Sequence, residues 1–161
     1  MKSYRVLLVD DHEIFRGGLR SLLECHREYK IVGECVNGQE AVEKAVTLKP
    51  DVVIMYVTMP VMGGLEATRR ILKDLPRTRV IVLTAHVSKT MAQQALKAGV
   101  FGCLEKSAAS RVLLVALECM RQKRLSCPPE AQRGWCCSLR EPLSGNWGII
   151  GTSALDPAGA I

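Results

Sequence analysis

Asp51-Val-Val-Ile-Met-Tyr-Val-Thr-Met-Pro60 is the stretch that decides the fold. Residues 52–57 form an uninterrupted apolar run rather than an alternating one. A run of that length, rich in β-branched side chains, predicts a strand covered on both faces, the usual state of a strand in a parallel sheet. The Met59-Pro60 step that follows predicts a sharp loop, so Tyr56 stands at the end of the strand.

Outward from this strand the hydrophobic period alternates between that of a strand and that of a helix. Residues 4–9 read as a strand. Residues 12–29 read as a helix with Ile14, Leu19, Leu22 and Leu23 at helical spacing. Residues 31–36 are strand-like, and the Asn37-Gly38 turn leads into a helix over 39–48 with Ala41, Val42, Ala45, Val46 and Leu48 on one stripe. Leu65, Thr68, Ile71, Leu72 and Leu75 face inward from a helix over 65–75. Further strands follow at 80–84 and 100–104, and further helices at 90–98, closed by Gly99, and at 108–121. Five strand–helix units in strict alternation imply right-handed crossovers and an α/β fold: a doubly wound five-stranded parallel sheet of order 2-1-3-4-5 with helices on both faces. This domain occupies residues 1–124. Residues 125–161 hold Pro128-Pro129, Pro142, Pro157 and five glycines, sustain neither period, and are expected to be a poorly ordered Pro/Gly-rich tail.

Composition narrows the function classes. Among 161 residues, 48% are hydrophobic and 24% charged, an ordinary globular balance. No apolar run approaches the roughly 20 residues needed to span a bilayer, and the first residues lack a signal-peptide core, so a cytoplasmic location is expected. The net charge is +6. Residues 1–126 carry +7 (20 Lys/Arg against 13 Asp/Glu) and residues 127–161 carry −1 (2 against 3), with the basic side chains scattered except for Arg121-Gln-Lys-Arg124 at a helix end, where they suit the helix dipole. Seven cysteines include no CxxC pair, which argues against both a disulfide framework and a zinc site; Cys35, Cys103 and Cys119 read as small buried hydrophobes.

Ligands of open parallel sheets bind outside the carboxyl ends of the strands, where the strand order reverses. Asp10 and Asp11 end the first strand, and such a pair suits a hard cation; the alternative is Asp11 as a helix N-cap. Tyr56 ends the third strand, Thr84 the fourth, and Lys106 follows the fifth. Val6-Leu-Leu-Val-Asp-Asp-His12, Arg16-Gly-Gly-Leu19, Met59-Pro60, Gly64-Leu-Glu-Ala67, Val80-Ile-Val-Leu-Thr-Ala85, Ala98-Gly99 and Lys106 together resemble the receiver domains of two-component response regulators, of the NarL/FixJ type, over about three quarters of the chain.

The resemblance implies a flavodoxin-like fold and a phosphorelay signalling role, not an enzyme. Its site would comprise a phosphoacceptor at position 56, a switch hydroxyl at Thr84, a phosphate-pairing Lys106, and Mg²⁺ on Asp10, Asp11 and the main-chain carbonyl of Thr58. Its partners would be a histidine kinase and a homodimer mate through the fourth helix, fifth strand and fifth helix. Here Tyr56 stands where the resemblance calls for the acceptor carboxylate. A phenol keeps its proton at neutral pH, so it is a poor nucleophile and metal ligand, and Mg²⁺ binding is expected to be weak or absent. Its ring could fill the pocket while its hydroxyl bonds an acidic neighbour. Cys103 replaces the aromatic that usually reports the switch hydroxyl, and Gly63 replaces an Asp or Asn, which loosens the loop. No helix-turn-helix pattern follows residue 124, so DNA binding is not expected. Three readings stay open: a pseudo-receiver signalling module that works without phosphorylation, a phosphorylatable response regulator, and an inactive, truncated or frame-shifted remnant of a DNA-binding regulator.

Overall fold

The computed structural model describes residues 2–86, 88–122 and 135–137. Strands β1 (Tyr4–Val9), β2 (Tyr29–Cys35), β3 (Val52–Tyr56), β4 (Arg79–Thr84) and β5 (Gly102–Glu105) alternate with helices α1 (Glu13–Glu24), α2 (Gly38–Leu48), α3 (Gly64–Asp74), α4 (Lys89–Ala98) and α5 (Ala109–Arg121). The five strands run parallel in the order 2-1-3-4-5. A short strand β6 (Trp135–Cys137) adds antiparallel to β5, with Leu104 opposite Trp135 and Gly102 opposite Cys137.

The decisive run behaves as its composition requires. Every residue of β3 is buried, and successive side chains enter different cores. Val52, Ile54 and Tyr56 join Val6, Leu8, Ile81, Leu83 and Leu104 against α1 and α5. Val53 and Met55 join Leu7, Val9, Val80, Val82 and Cys103 against α2, α3 and α4. Tyr56 therefore belongs to the α1–α5 face.

Local chemistry sets the helix ends. Asn37 accepts the amide hydrogen bond of Glu40, and Ser88 that of Met91, each capping its helix. Gly99, at φ 90°, closes α4 in the left-handed conformation that its missing Cβ permits. Gly64 is required by close approach: a Cβ there would lie 2.3 Å from the Tyr56 carbonyl oxygen.

The structure corrects several boundaries drawn from periodicity. The first helix stops at Glu24, and Tyr29, placed in that helix by its spacing, begins β2 instead. Ile14 is 93% exposed rather than inward, because it lies about 180° around the helix from the buried Leu23, whereas Phe15 of the same turn packs on the core. Val46 is also half exposed, since the stripe of α2 is narrower than its apolar residues suggest. The fifth strand starts at Gly102 rather than residue 100, and a 3₁₀ turn over Lys106–Ala108 precedes α5. In the stretch after residue 124, only Trp135–Cys137 lies within the described residues, and there the chain forms a strand that periodicity did not indicate.

Candidate functional site

The carboxyl ends of β1, β3, β4 and β5 bring Asp10, Tyr56, Thr84 and Lys106 to one edge of the sheet. Asp10 follows β1 and is only 1% exposed. Its Oδ1 accepts the His12 backbone N–H at 2.8 Å, which turns the chain into α1. The N-cap of α1 is His12, without a side-chain cap bond, so Asp11 does not cap that helix; it remains exposed. The carboxylates of Asp10 and Asp11 and the ring of His12 place one ligand atom each within 4.8 Å of one another.

The ammonium of Lys106 occupies the centre. Its Nζ stands 2.9 Å from Asp10 Oδ2 and 3.2 Å from Oδ1. The bond is directed at Oδ1. Oδ2 accepts no hydrogen bond despite its proximity, so that contact is Coulombic. Nζ is also 3.8 Å from the centroid of the Tyr56 ring, 4.4 Å from that of Phe15 and 2.9 Å from His12 Nδ1. His12 Nδ1 faces Lys106 Nζ at 2.9 Å, Asp10 Oδ1 at 3.2 Å and Asp11 Oδ1 at 3.4 Å; one tautomer accepts from Lys106 and the other donates to a carboxylate. The His12 and Tyr56 rings lie 5.8 Å apart and tilted by 58°.

Burial explains why these contacts converge. The Asp10 side chain is 2% exposed and that of Lys106 16%, so neither charge is well solvated and each needs a partner. The negative face of an aromatic ring supplies a second stabilising surface for an ammonium within about 6 Å of its centroid. Tyr56, 9% exposed, offers that face. Among the described contacts its ring, rather than its hydroxyl, meets a charge, which modifies the expected hydrogen bond to an acidic neighbour.

Thr84 is buried at the end of β4, but its hydroxyl donates to the His86 carbonyl at 3.1 Å, which ties it to the β4–α4 loop. Thr58 lies exposed two residues beyond Tyr56. Cys103 is buried against the other face of the sheet, away from Tyr56, and Gly63 caps α3 in an ordinary extended conformation. The residue with φ 68° in this loop is Val61, a strained position for a β-branched side chain.

Sequence reasoning missed Phe15, His12 and Arg16 as parts of the site. Arg16 donates to the Asp10 carbonyl at 2.7 Å and to Glu34 at 2.9 Å, fixing the turn that carries the acidic pair. The signal was present: Phe15 and Arg16 sit one turn after Asp11 and His12, where a helix brings i and i+4 residues together.

A family model described as the response regulator receiver domain matches residues 6–118. The response regulator UvrY of Escherichia coli K12 is 42% identical over 112 residues, covering 70% of this chain and 51% of UvrY. The transcriptional regulatory protein LnrK of Bacillus subtilis is 36% identical over 126 residues, covering 78% of this chain and 57% of LnrK. The chain thus spans about half the length of the curated relatives it matches. Among solved structures, a LuxR-family two-component response regulator from Aurantimonas sp. SI85-9A1 superposes with a TM-score of 0.73 at 35% identity, covering 81% of this chain and 93% of the other. The receiver domain of the putative response regulator NarL from Mycobacterium tuberculosis gives 0.71 at 29% identity, covering 77% and 100%.

Proposed function

We propose, for a chain that belongs to the response regulator receiver domain family of two-component signalling, that it acts as a pseudo-receiver: a signalling module whose contacts with protein partners do not depend on phosphoryl transfer to position 56. One observation carries this reading. The Lys106 ammonium, 2.9 Å from Asp10 and 3.8 Å from the Tyr56 ring, fills the space beside the acceptor position.

Phosphoryl transfer depends on in-line positioning of a nucleophile and on charge stabilisation around the transferred group. A neutral phenol supplies neither a carboxylate nucleophile nor the third oxygen of a hard-metal site. Mg²⁺ fits these residues poorly. Its oxygen ligands would have to come from Asp10, already paired with an ammonium, while the β3 position presents a ring face. The Asp10–Asp11–His12 group retains donor atoms without a third carboxylate.

Receiver domains of this family interact with histidine kinases, and a kinase is the proposed upstream partner here. A homodimer through α4, β5 and α5 would form with β6 already on the outer edge of β5, leaving the two helices as its main surface. The proposed partners of this domain are proteins.

Treatment with acetyl phosphate or phosphoramidate in the presence of Mg²⁺ is expected to leave the intact mass unchanged. A stable adduct of one phosphoryl group, about 80 Da, would overturn the proposal.

A further inference from the structure

The geometry points to a second property of this pocket: Asp10, His12, Phe15 and Tyr56 form a receptor for a primary ammonium group, and Lys106 is its built-in occupant. The inference deepens the reading above and rests on Tyr56 as a wall of the pocket. It assigns the site a ligand class, a small organic monocation.

The four residues divide the recognition of an ammonium between them. Asp10 supplies charge at 2.9 and 3.2 Å, and His12 Nδ1, in its accepting tautomer, supplies a lone pair at 2.9 Å. Tyr56 and Phe15 supply two ring faces, at 3.8 and 4.4 Å from Nζ. One anion, one lone pair and two aromatic faces around a single nitrogen are the elements by which proteins bind organic ammonium ions. The same set is unsuited to a hydrated divalent ion, which takes oxygen ligands and gains little from a ring face. The walls come from separate elements: Asp10 and His12 from the β1–α1 turn, Phe15 from α1 and Tyr56 from β3. None of them lies on the 3₁₀ turn after β5 that carries Lys106, although Asp10 loses its ion-pair partner when Lys106 is truncated. Truncating Lys106 should leave a vacant cage of the right chemistry.

The test has two arms. In the unmodified protein, the ε-methylene protons of Lys106 should resonate upfield of other lysines, shifted by the two rings, and should not respond to millimolar MgCl₂. In Lys106→Ala, ethylammonium chloride should raise the unfolding midpoint saturably, by about 4 °C at ten times its dissociation constant, following mass action on a domain of this size. Sodium chloride at equal ionic strength should not, and Lys106→Ala/Tyr56→Leu should lose the response.

Ordinary Lys106 ε-proton shifts would overturn the inference, as would a folded Lys106→Ala that is stabilised by Mg²⁺ but not by ethylammonium. If Lys106→Ala does not fold, the resonance measurement on the unmodified protein decides alone. These readouts are separate from the phosphodonor mass. An adduct at position 56 with shifted Lys106 protons would refute the pseudo-receiver reading and leave the cage standing. An unchanged mass with ordinary protons would do the reverse.

Discussion

Replacing Tyr56 with Asp removes a buried ring and restores a carboxylate, and the two effects can be separated by adding metal. Tyr56 is 9% exposed and packs with Val52, Ile54, Ile81 and Leu104 against α1 and α5. Losing an aromatic side chain from such a site costs about 3–5 kcal/mol in transfer and cavity terms. A third carboxylate beside Asp10 and Asp11 adds repulsion that the single Lys106 ammonium offsets only in part. Without metal, Tyr56→Asp should therefore lose about 4 kcal/mol, a large share of the roughly 5–15 kcal/mol typical of a domain. At about 2 kcal/mol/M, that moves the urea midpoint down by about 2 M. Mg²⁺ then has three carboxylates to bind, and at one hundred times its dissociation constant it should restore about 2.7 kcal/mol. The assay is urea unfolding of both proteins with and without MgCl₂. The expected pattern is a wild-type midpoint indifferent to Mg²⁺ and a variant midpoint that is low without it and largely recovered with it. A wild-type protein stabilised by Mg²⁺ as strongly as the variant would refute the reasoning, because the acidic pair would then be binding metal despite Tyr56 and Lys106.

Other expectations are simpler to check. Tyr56→Asp, but not the wild type, should take up an acid-labile phosphoryl group from a small phosphodonor, read by intact mass at neutral and acid pH. Gly64→Ala should destabilise by about 2–3 kcal/mol, in the range of strained backbone and core overpacking, because the new Cβ meets the Tyr56 carbonyl at 2.3 Å; chemical denaturation measures it. Val61→Gly should stabilise by up to about 1 kcal/mol, since Val61 is 82% exposed at φ 68° and has strain to lose but little packing; a rise in thermal midpoint is the readout. Burial raises the Cys35 thiol to about 11, above its ordinary value of 9.0. The unfolded chain thus ionises first, and stability that is complete below about pH 9 should fall by about 2–3 kcal/mol as the pH rises to about 11, at ~1.4 kcal/mol per pH unit. Cys35→Ala should flatten that part of the profile.

Much of the architecture was legible because period and burial coincide. The uninterrupted run at 52–57 predicted a doubly covered strand; the strand ends at Tyr56, one residue short of the run, and both neighbouring cores claim its residues. Asp10, Tyr56, Thr84 and Lys106 were legible as neighbours because a parallel sheet delivers strand ends to one edge. Three features were not. Ile14 was grouped with Leu19 and Leu23 yet is exposed, since at 3.6 residues per turn it stands on the opposite face of the helix from Leu23. The arrangement around Lys106 depends on side-chain directions: the sequence offered Asp10 and Asp11 as a cation site and Lys106 as a phosphate partner, but not Phe15 and Tyr56 as ring faces against the ammonium. The β6 strand was missed because three residues carry no period and its pairing partner lies about thirty positions earlier.

The pairing of β6 with β5 bears on how copies of this chain can assemble. A sheet with two open edges can grow, the last strand of one copy meeting the first strand of the next, and each addition recreates the same junction. Here one end of the sheet is β2 and the other is a three-residue antiparallel strand, too short to template a long ladder. Growth that joins unlike ends therefore lacks one of its two complementary surfaces. Pairing of β2 with β2, the other edge-to-edge contact open to the described strands, would be isologous and would close after two copies.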